Sequence, residues 1–297
     1  GFTFDDDAYQ KGEAESIEKM HELIAANPRN SEVISPLIGG DEVNSSPRHE
    51  YKRYAIDFFD RPLKRNPSLK SWTAMSEPEL VECRVSGIVP ADYPDEVASD
   101  WPDLLEIIER RVLPDRRKQT RPALKNRWWQ YAEKRPGLYR SIHGMDSVFV
   151  NSSKATPQYS IAMLDNGLIY SQNLNVFALQ GMAAFCVLQS STHELWARFF
   201  GTTFEDRLTY AKEECFETFP FPTNYEQSDR LCEAGRAYHE HRAQLLIARN
   251  QGLTKTYNRF HDRGQNAQDI TRLRELHAEM DAAVLRAYGW EDLADRA

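Results

Sequence analysis

The chain has 297 residues, a formal net charge of -8 at pH 7 and 41% hydrophobic residues, a composition that excludes a disordered chain. Its pI of about 5.6 argues against indiscriminate coating of nucleic acid. The four cysteines, Cys83, Cys186, Cys215 and Cys232, are widely spaced. We therefore expect reduced thiols in a cytoplasmic protein, and neither a disulfide framework nor a zinc site.

No stretch approaches the ~18 uninterrupted apolar residues of a membrane span. The opening residues, GFTFDDDAYQKGEAES, lack the basic and apolar regions of a signal peptide. Because no initiator Met is present, we expect the chain to be a fragment of a longer protein.

The first third of the chain predicts a helix followed by short strands. Apolar residues recur at helical spacing over Glu13–Ala26. Val33–Asn44 reads as a strand that enters a Gly-Gly turn, and Tyr54–Phe59 reads as a buried strand. The region Arg61–Ser99 is rich in Pro, Ser and Gly, which predicts a variable loop with short strands such as Glu82–Val89.

A helix is predicted next over Trp101–Val112, with Asp100 as its N-cap and Pro102 at its first position. After Pro136 the apolar period shortens to two, which is typical of strands. The predicted strands are Val148–Val150, Tyr159–Leu164, Leu168–Tyr170 and Asn175–Leu179. The Asn166-Gly167 pair between the second and third of them predicts a hairpin.

The last part of the chain is predicted to be helical. Gly181–Phe200 reads as one long helix, in which Trp196, Phe199 and Phe200 are expected to pack against a sheet. Two further helical runs, Tyr225–Asn250 and Asp269–Tyr288, are predicted to form a hairpin around a loop. The fold class is thus α+β. We divide it into a helical lead-in (1–32), a mixed α/β domain of short strands with a long packing helix (33–224) and a C-terminal helical segment (225–297).

The segment from Arg110 to Arg140 holds eleven Lys or Arg against only two acids, in an acidic chain. Such segregation favours a negatively charged partner. Aromatic residues lie between these charges. Cations bind phosphates and aromatic rings stack on bases, so the mixture is typical of nucleic-acid binding. A solvated basic helix is the alternative, with Trp128 and Trp129 as its anchor in the core, and we favour this role for the Trp pair.

Motifs of catalysis and cofactor binding are missing. The sequence has no Gly-x-Gly-x-x-Gly, no Walker loop and no Gly-x-Ser-x-Gly elbow. His193-Glu194 continues with Leu195-Trp196, so the second histidine of a helical zinc motif is absent. We predict no catalytic residue and no metal ligand in this chain.

Five blocks in order resemble one family. They are NRWWQYAEKRPGLYRSI (126–142), FCVLQSSTHELWARFFGTTFEDRLTY (185–210), CFETFPFP (215–222), GLTKTYNRFHD (252–262) and LHAEMDAAVLRAYGWEDL (276–293). Their order and wording resemble the C-terminal part of MmeI-like adenine-specific DNA methyltransferases. That family includes fused type II restriction–modification enzymes and the methylases of DISARM phage-defence systems.

The resemblance implies a target recognition domain with a trailing helical segment. In the family, an upstream catalytic domain binds S-adenosylmethionine and carries an Asn-Pro-Pro-Tyr/Phe loop. Here Asn27-Pro28 continues with Arg-Asn and Asn66-Pro67 with Ser-Leu, so the loop is absent. We therefore expect no cofactor in this chain, with S-adenosylmethionine and the methyltransferase domain elsewhere in the parent protein.

Two classes of DNA contact are predicted, to phosphates and to bases. The phosphate contacts are assigned to Lys125, Arg127, Lys134, Arg135 and Arg140. Base readers are sought in the loops after Val150 and Tyr170, because Lys suits guanine O6/N7 and Asn or Gln suits adenine. The candidates are Lys154, Gln158, Gln172, Asn173 and Asn175.

Double-stranded DNA is thus the expected partner, and no membrane is expected. Two alternatives remain open: a protein-interaction scaffold whose basic face binds an acidic partner, and a small enzyme with an unrecognised site. The asparagines and glutamines in the loops have an alternative role of their own, as turn residues. The sequence does not reveal the recognised DNA word, whether the parent also cleaves DNA, or the oligomeric state.

Overall fold

The computed structural model describes residues 2–154, 156–204 and 207–296 and has the predicted α+β class. Its helices are α1 Asp6–Tyr9, α2 Ile17–Ala26, α3 Gly40–Ser45, α4 Glu77–Ser86, α5 Pro102–Arg111, α6 Leu113–Arg117, α7 Pro122–Asn126, α8 Pro136–Ser141, α9 Met182–Gln189, α10 Ser191–Phe200, α11 Lys212–Cys215, α12 Asp229–Arg249, α13 Leu253–His261, α14 Gln268–Ala287 and α15 Glu291–Ala294. Its strands are β1 Thr3–Phe4, β2 Ile34–Ile38, β3 Arg53–Ile56, β4 Lys64–Asn66, β5 Ile88–Pro90, β6 Ser147–Ser152, β7 Ala162–Asp165, β8 Ile169–Tyr170, β9 Leu174–Phe177, β10 Thr202–Phe204 and β11 Arg207–Thr209.

The chain folds into two compact units. Unit 1 contains residues 1–37 and 52–136, and unit 2 contains residues 38–51 and 137–297. These units do not divide at residues 32 and 224, so the division into a lead-in, a recognition domain and a tail stays a prediction.

Unit 1 is built around two buried tryptophans. Trp101 is fully buried, donates from Nε1 to the carbonyl of Arg29 (2.8 Å) and lies beneath the guanidinium of Arg61 (4.9 Å). Trp129 is 1% exposed and donates from Nε1 to the carbonyl of Arg61 (3.0 Å). Each indole nitrogen therefore has an acceptor while its ring fills the core. The predicted role of Trp129 as a core anchor is confirmed.

Gly87 shows why the chain turns where it does beside Trp129. Its φ is +72°, and a Cβ at this position would lie 2.2 Å from the Trp129 ring. Both the left-handed backbone and the close approach require glycine. Gly87 ends α4, a helix that the sequence analysis missed when it predicted a strand over Glu82–Val89. At the start of this helix, the amide and the hydroxyl of Ser76 both donate to the Glu79 carboxylate (2.7 and 2.6 Å).

Unit 2 contains a three-stranded antiparallel sheet in the order β7-β6-β9. Val148 faces Leu164 on β7, and Asn151 faces Asn175 on β9. The hairpin predicted at Asn166-Gly167 is wrong, since β7 pairs with β6. Asn166 instead donates from Nδ2 to the carbonyls of Ile142 (2.7 Å) and Met145 (3.0 Å), which fixes a different turn.

Helices α9, α12 and α14 share one apolar core with this sheet. Phe185 of α9, Tyr238 of α12 and Met280 of α14 are all fully buried. The approach of α12 to α9 is close at Gly235, where a Cβ would lie 2.3 Å from the carbonyl oxygen of Met182. The C-terminal helices are therefore part of the fold of unit 2, with Leu276, Met280 and Val284 of α14 buried in this core.

Arg242 of α12 joins these layers through a buried cation. Its side chain is 1% exposed and donates to Gln189 Oε1 (3.0 Å), the Tyr257 hydroxyl (2.9 Å) and the carbonyl of Ile161 (2.7 Å). No salt bridge to Arg242 occurs in the described part of the chain. The buried charge is therefore stabilised by neutral hydrogen-bond acceptors and by the rings of Phe185 and Tyr238, whose centroids lie 5.2 and 5.6 Å from the guanidinium carbon.

The long helix predicted over Gly181–Phe200 is broken in two. Ser190 ends α9 and caps α10, because its hydroxyl accepts a hydrogen bond from the His193 amide (3.3 Å). The predicted packing of Phe199 and Phe200 is wrong, since they are 81% and 44% exposed. Helix α10 buries the face of His193 and Ala197, and a residue two positions beyond Ala197 points away from that face. Trp196 is half-buried against the core, as expected.

Two smaller corrections concern helix ends and loops. Asp100 does not cap α5, whose N-cap residue is Trp101; the Asp100 carboxylate accepts from the Val97 amide at 3.0 Å and so closes the preceding turn. The predicted loop between the two C-terminal helices contains α13, so this segment is not a simple hairpin. In the residues described, no helix is long and apolar enough to cross a membrane.

Replacing Arg242 tests whether its hydrogen bonds to three elements stabilise unit 2. Arg242→Ala leaves the buried carbonyl of Ile161 without this donor and removes one of the two hydrogen bonds to Gln189 Oε1, and we expect the free energy of unfolding to fall by about 3 kcal/mol. Arg236→Ala, on the exposed side of the same helix, is the matched control and should stay within about 0.5 kcal/mol. Urea denaturation of both variants measures this, and equal losses would contradict the assignment.

Stability should also depend on pH through three histidines of unit 2, the buried His193 and the half-buried His49 and His239. Burial lowers the pKa of His193 to about 3, and burial together with the charge of Arg242 lowers the pKa values of His49 and His239 to about 4. Since an unfolded histidine titrates near ~6.5, the unfolded state binds more protons below that pH. We therefore expect the contribution of these histidines to the free energy of unfolding to be complete above about pH 6.5 and to be lost as the pH falls towards 4.

Denaturation at a series of pH values between 7.5 and 4.5 measures this dependence. His239→Gln should remove about one proton from the uptake on unfolding. His143→Gln, at an exposed position of the same unit, is the matched control. A flat dependence in the unmodified chain would contradict the assignment of neutral buried histidines.

Candidate nucleic-acid interface

Prolines divide the basic stretch into short helices. Pro102, Pro114 and Pro122 each lie in the first turn of a helix, where a missing amide proton costs nothing. The stretch is therefore not one basic helix, and its side chains project from several short segments. Residues 110–136 belong to unit 1, whereas Arg140, on α8, belongs to unit 2.

Part of the stretch is neutralised within unit 1. Glu15 accepts hydrogen bonds from Arg110 Nη2 and Arg111 Nε, both at 2.6 Å. Burial acts to raise the pKa of Glu15, but the hydrogen bonds and charges of Arg111 and Arg110 outweigh it, and the pKa lies below its ordinary value. Lys134 donates to Asp60 Oδ1 (2.5 Å) and Gln130 Oε1 (2.8 Å). These cations have structural partners.

Other cations of the stretch are open to solvent. Lys125 is exposed at the end of α7, and Arg127, which follows that helix, is half-exposed. Neither has an ion pair or side-chain hydrogen bond among the described residues, and the same holds for the exposed Arg117 and Arg121. Arg135 is half-exposed with a left-handed φ of 49°. Arg117, at the end of α6, and Arg121, which directly precedes Pro122, were not among the predicted phosphate contacts; the proline beside Arg121 is the one local signal for an exposed break between helices.

In unit 2, two loops meet at one end of the three-stranded sheet. The loop after β6 is described except for Ala155. The amide of Ser153 donates to the carbonyl of Asn173 (2.9 Å), and its hydroxyl donates to the carbonyl of Gln172 (3.3 Å). Thr156 exchanges backbone hydrogen bonds with Leu208 of β11 (2.9 and 3.0 Å). We call residues 153–154, 156–158 and 171–173 the loop cluster.

Four base-reading candidates lie together in the loop cluster. Lys154 and Gln172 are exposed, and Gln158 and Asn173 are half-exposed. Gln158 Nε2 donates to Asn258 Oδ1 of α13 at 3.4 Å. The backbone of both loops is thus held by hydrogen bonds while the ends of several polar side chains remain accessible. This arrangement suits recognition by hydrogen bonding.

Asn175 differs from the other candidates because its amide is used internally. Its Nδ2 donates to Asn151 Oδ1 (2.9 Å) and to the carbonyl of Tyr210 (3.2 Å). Asn151 is 3% exposed, and its own Nδ2 has no hydrogen-bond partner in the described structure. Asn151, Ser152, Gln158 and Asn44 help to line a polar cavity of about 10 Å³, enough for one water molecule. Asn175 therefore supports the strand ends.

The described residues contain no group of three or more His, Cys, Asp or Glu side chains that could hold a metal ion. His193 Nε2 lies 2.9 Å from the Tyr210 hydroxyl, but both side chains are buried. The pair packs with Tyr159 and Phe219 in the core, which is a structural environment.

Comparisons with known proteins connect this geometry to a family. Residues 99–223 match the family model "MmeI, target recognition domain". The fold is similar to that of the type IIL restriction–modification enzyme MmeI, solved in complex with DNA, with a TM-score of 0.55 and 16% sequence identity. The search of curated proteins found no significant match.

The structural match covers 99% of this chain and 32% of the MmeI chain, so the present chain spans about a third of that enzyme's length. At 16% sequence identity, the structural similarity establishes the fold alone. The family model shows which residues of the chain match a target recognition domain. Over residues 99–223, this chain carries an MmeI-like target recognition domain.

Proposed function

We propose that the chain reads a target sequence in double-stranded DNA through the loop cluster of unit 2. The observation that carries this proposal is the juxtaposition of Lys154, Gln158, Gln172 and Asn173 on two loops tied together by Ser153. A lysine can donate to guanine O6 and N7, and an Asn or Gln amide pairs with adenine N6 and N7 in the major groove. Asn175 is assigned to holding Asn151.

The exposed cations supply contacts to phosphates. We assign this role to Lys125 and Arg127 first, since neither is neutralised by a described partner. Arg117, Arg121, Arg135 and Arg140 are further candidates. Lys134 contributes less, because Asp60 already neutralises it. Phosphate contacts set the register of a protein on DNA, whereas base contacts provide the sequence information.

Two findings support the proposal. The family model that matches residues 99–223 describes target recognition. MmeI, the restriction–modification enzyme with a similar fold, was solved in complex with DNA. In this chain, the accessible amides of the loop cluster and the exposed Lys125 and half-exposed Arg127 provide groups for both kinds of contact.

We further propose that recognition serves adenine N6 methylation in a restriction–modification or phage-defence protein of the cytoplasm. In this view a catalytic domain of the same protein binds S-adenosylmethionine and flips the target adenine out of the duplex. The support is the resemblance of the five sequence blocks to MmeI-like methyltransferases. Within this chain the absence of the Asn-Pro-Pro-Tyr/Phe sequence is consistent with that division of labour.

Duplex-DNA binding across a salt series tests the main proposal. Each phosphate contact contributes about 0.9 to the slope of log K against log salt concentration. Reversing both charges in Lys125→Glu/Arg127→Glu should lower that slope by about 2 and weaken binding at least ~10-fold. Selection from a randomised duplex library then identifies the preferred word.

The matched control reverses Lys19 and Lys64, two exposed lysines of unit 1 outside the basic stretch, and makes the same change in net charge. Equal losses in both double variants would mean that only the overall charge matters. Binding with no sequence preference in the selection, or no binding at low salt, would contradict a reading function of the chain.

Methyl transfer tests the division of labour. This chain, incubated with labelled S-adenosylmethionine and duplex DNA, should transfer no methyl group, because the residues that would clamp adenine are absent. A protein in which the chain is joined to a catalytic domain should label adenine. Transfer by this chain alone would contradict the proposed division.

A further inference from the structure

Helix α13 lies beside the loop cluster although it is outside the residues that match the family model. Its N-cap residue, Gly252, packs against the backbone of α3: a Cβ there would lie 2.4 Å from the carbonyl oxygen of Asn44. Asn44 in turn helps to line the small polar cavity with Ser152 and Gln158. The start of α13 is thus fixed next to the cluster.

The two faces of α13 differ sharply. Leu253, Thr256 and Tyr257 are buried, and the Tyr257 hydroxyl accepts a hydrogen bond from Arg242. Thr254, Lys255 and Asn258 are exposed. Lys255 and Asn258 are three residues apart and therefore lie on the same side of the helix. The buried face anchors α13, and the exposed face places a cation one turn before the partner of Gln158.

Asn258 is coupled to a predicted base reader. Its Oδ1 accepts from Gln158 Nε2 at 3.4 Å, which orients the Gln158 amide and leaves its Oε1 and the second hydrogen of its Nε2 for a base edge. Lys255 has no ion pair or side-chain hydrogen bond among the described residues. A cation next to base-reading amides is positioned for a phosphate of the same DNA segment.

We infer that α13 forms an edge of the DNA-binding surface, with Lys255 as a phosphate contact and Asn258 as a positioning residue for Gln158. This inference rests on the proposed function and deepens it. It assigns a recognition role to the C-terminal helical segment, in addition to its structural one.

The phosphate contact is tested by Lys255→Gln. This variant should lower the salt slope by about 1 and weaken binding to all sequences by a similar factor. The matched control is Arg230→Gln. Arg230 is exposed on α12 and lies twelve residues before Arg242, roughly 18 Å away along the helix axis at 1.5 Å per residue. The control should leave the slope unchanged.

The positioning role is tested by base preference. Asn258→Ala and Gln158→Ala should each relax the preference at the same base pair, and the double variant should relax it no further than either single change. Asn258→Asp keeps the acceptor oxygen, so it should retain the preference while its negative charge weakens binding overall. A purely structural role of Asn258 would change the melting temperature and leave base preference unaltered.

The outcomes separate the two proposals. If the unmodified chain selects a DNA word and Lys255→Gln and Asn258→Ala behave like Arg230→Gln, the inference about α13 is overturned while the proposed function stands. If the unmodified chain selects no word, the proposed function fails and the inference fails with it.

Discussion

A buried guanidinium without a carboxylate partner is the constraint on which unit 2 depends. Arg242 draws a carbonyl at the edge of the sheet, an amide of α9 and a hydroxyl of α13 to a single point. Removing a cation from water is costly, and only a complete set of acceptors offsets that cost. Because each acceptor belongs to a different element, the charge specifies one arrangement of α12, α9, α13 and the sheet.

The same charge influences its surroundings. It adds to burial in lowering the pKa values of the half-buried His49 and His239, which favours the neutral form of both imidazoles. The end of the sheet is hydrogen-bonded to a buried partner of this charge: the backbone amide of Ile161 donates to the side-chain oxygen of Gln189. A rigid scaffold of this kind suits a surface that must present amides at fixed positions, since loops gain precision from the elements that support them.

Segments with strong apolar periodicity were predictable from sequence. Individual side-chain hydrogen bonds that end a helix or replace a turn were not. Helix α2, strand β6 and the C-terminal helices follow their apolar spacing. Ser190 divides a helix because its hydroxyl caps the next one, and Asn166 spends its amide on distant carbonyls where a hairpin turn was expected. The basic stretch could be recognised from composition. Which of its cations are neutralised could not be predicted, because Glu15 and Asp60 are remote in sequence from their partners Arg111 and Lys134.

The close approach at Gly235 also bears on how such a protein can diversify. A side chain there would clash with the backbone of α9 at Met182. The facing surfaces of α9 and α12 must therefore be closely complementary in shape. An exchangeable cassette that ended at residue 223 would bring a new α9 against an old α12. Recombination between relatives is therefore better tolerated when α9 and α12 are inherited together, and new specificity is more readily acquired by changing side chains on the loops.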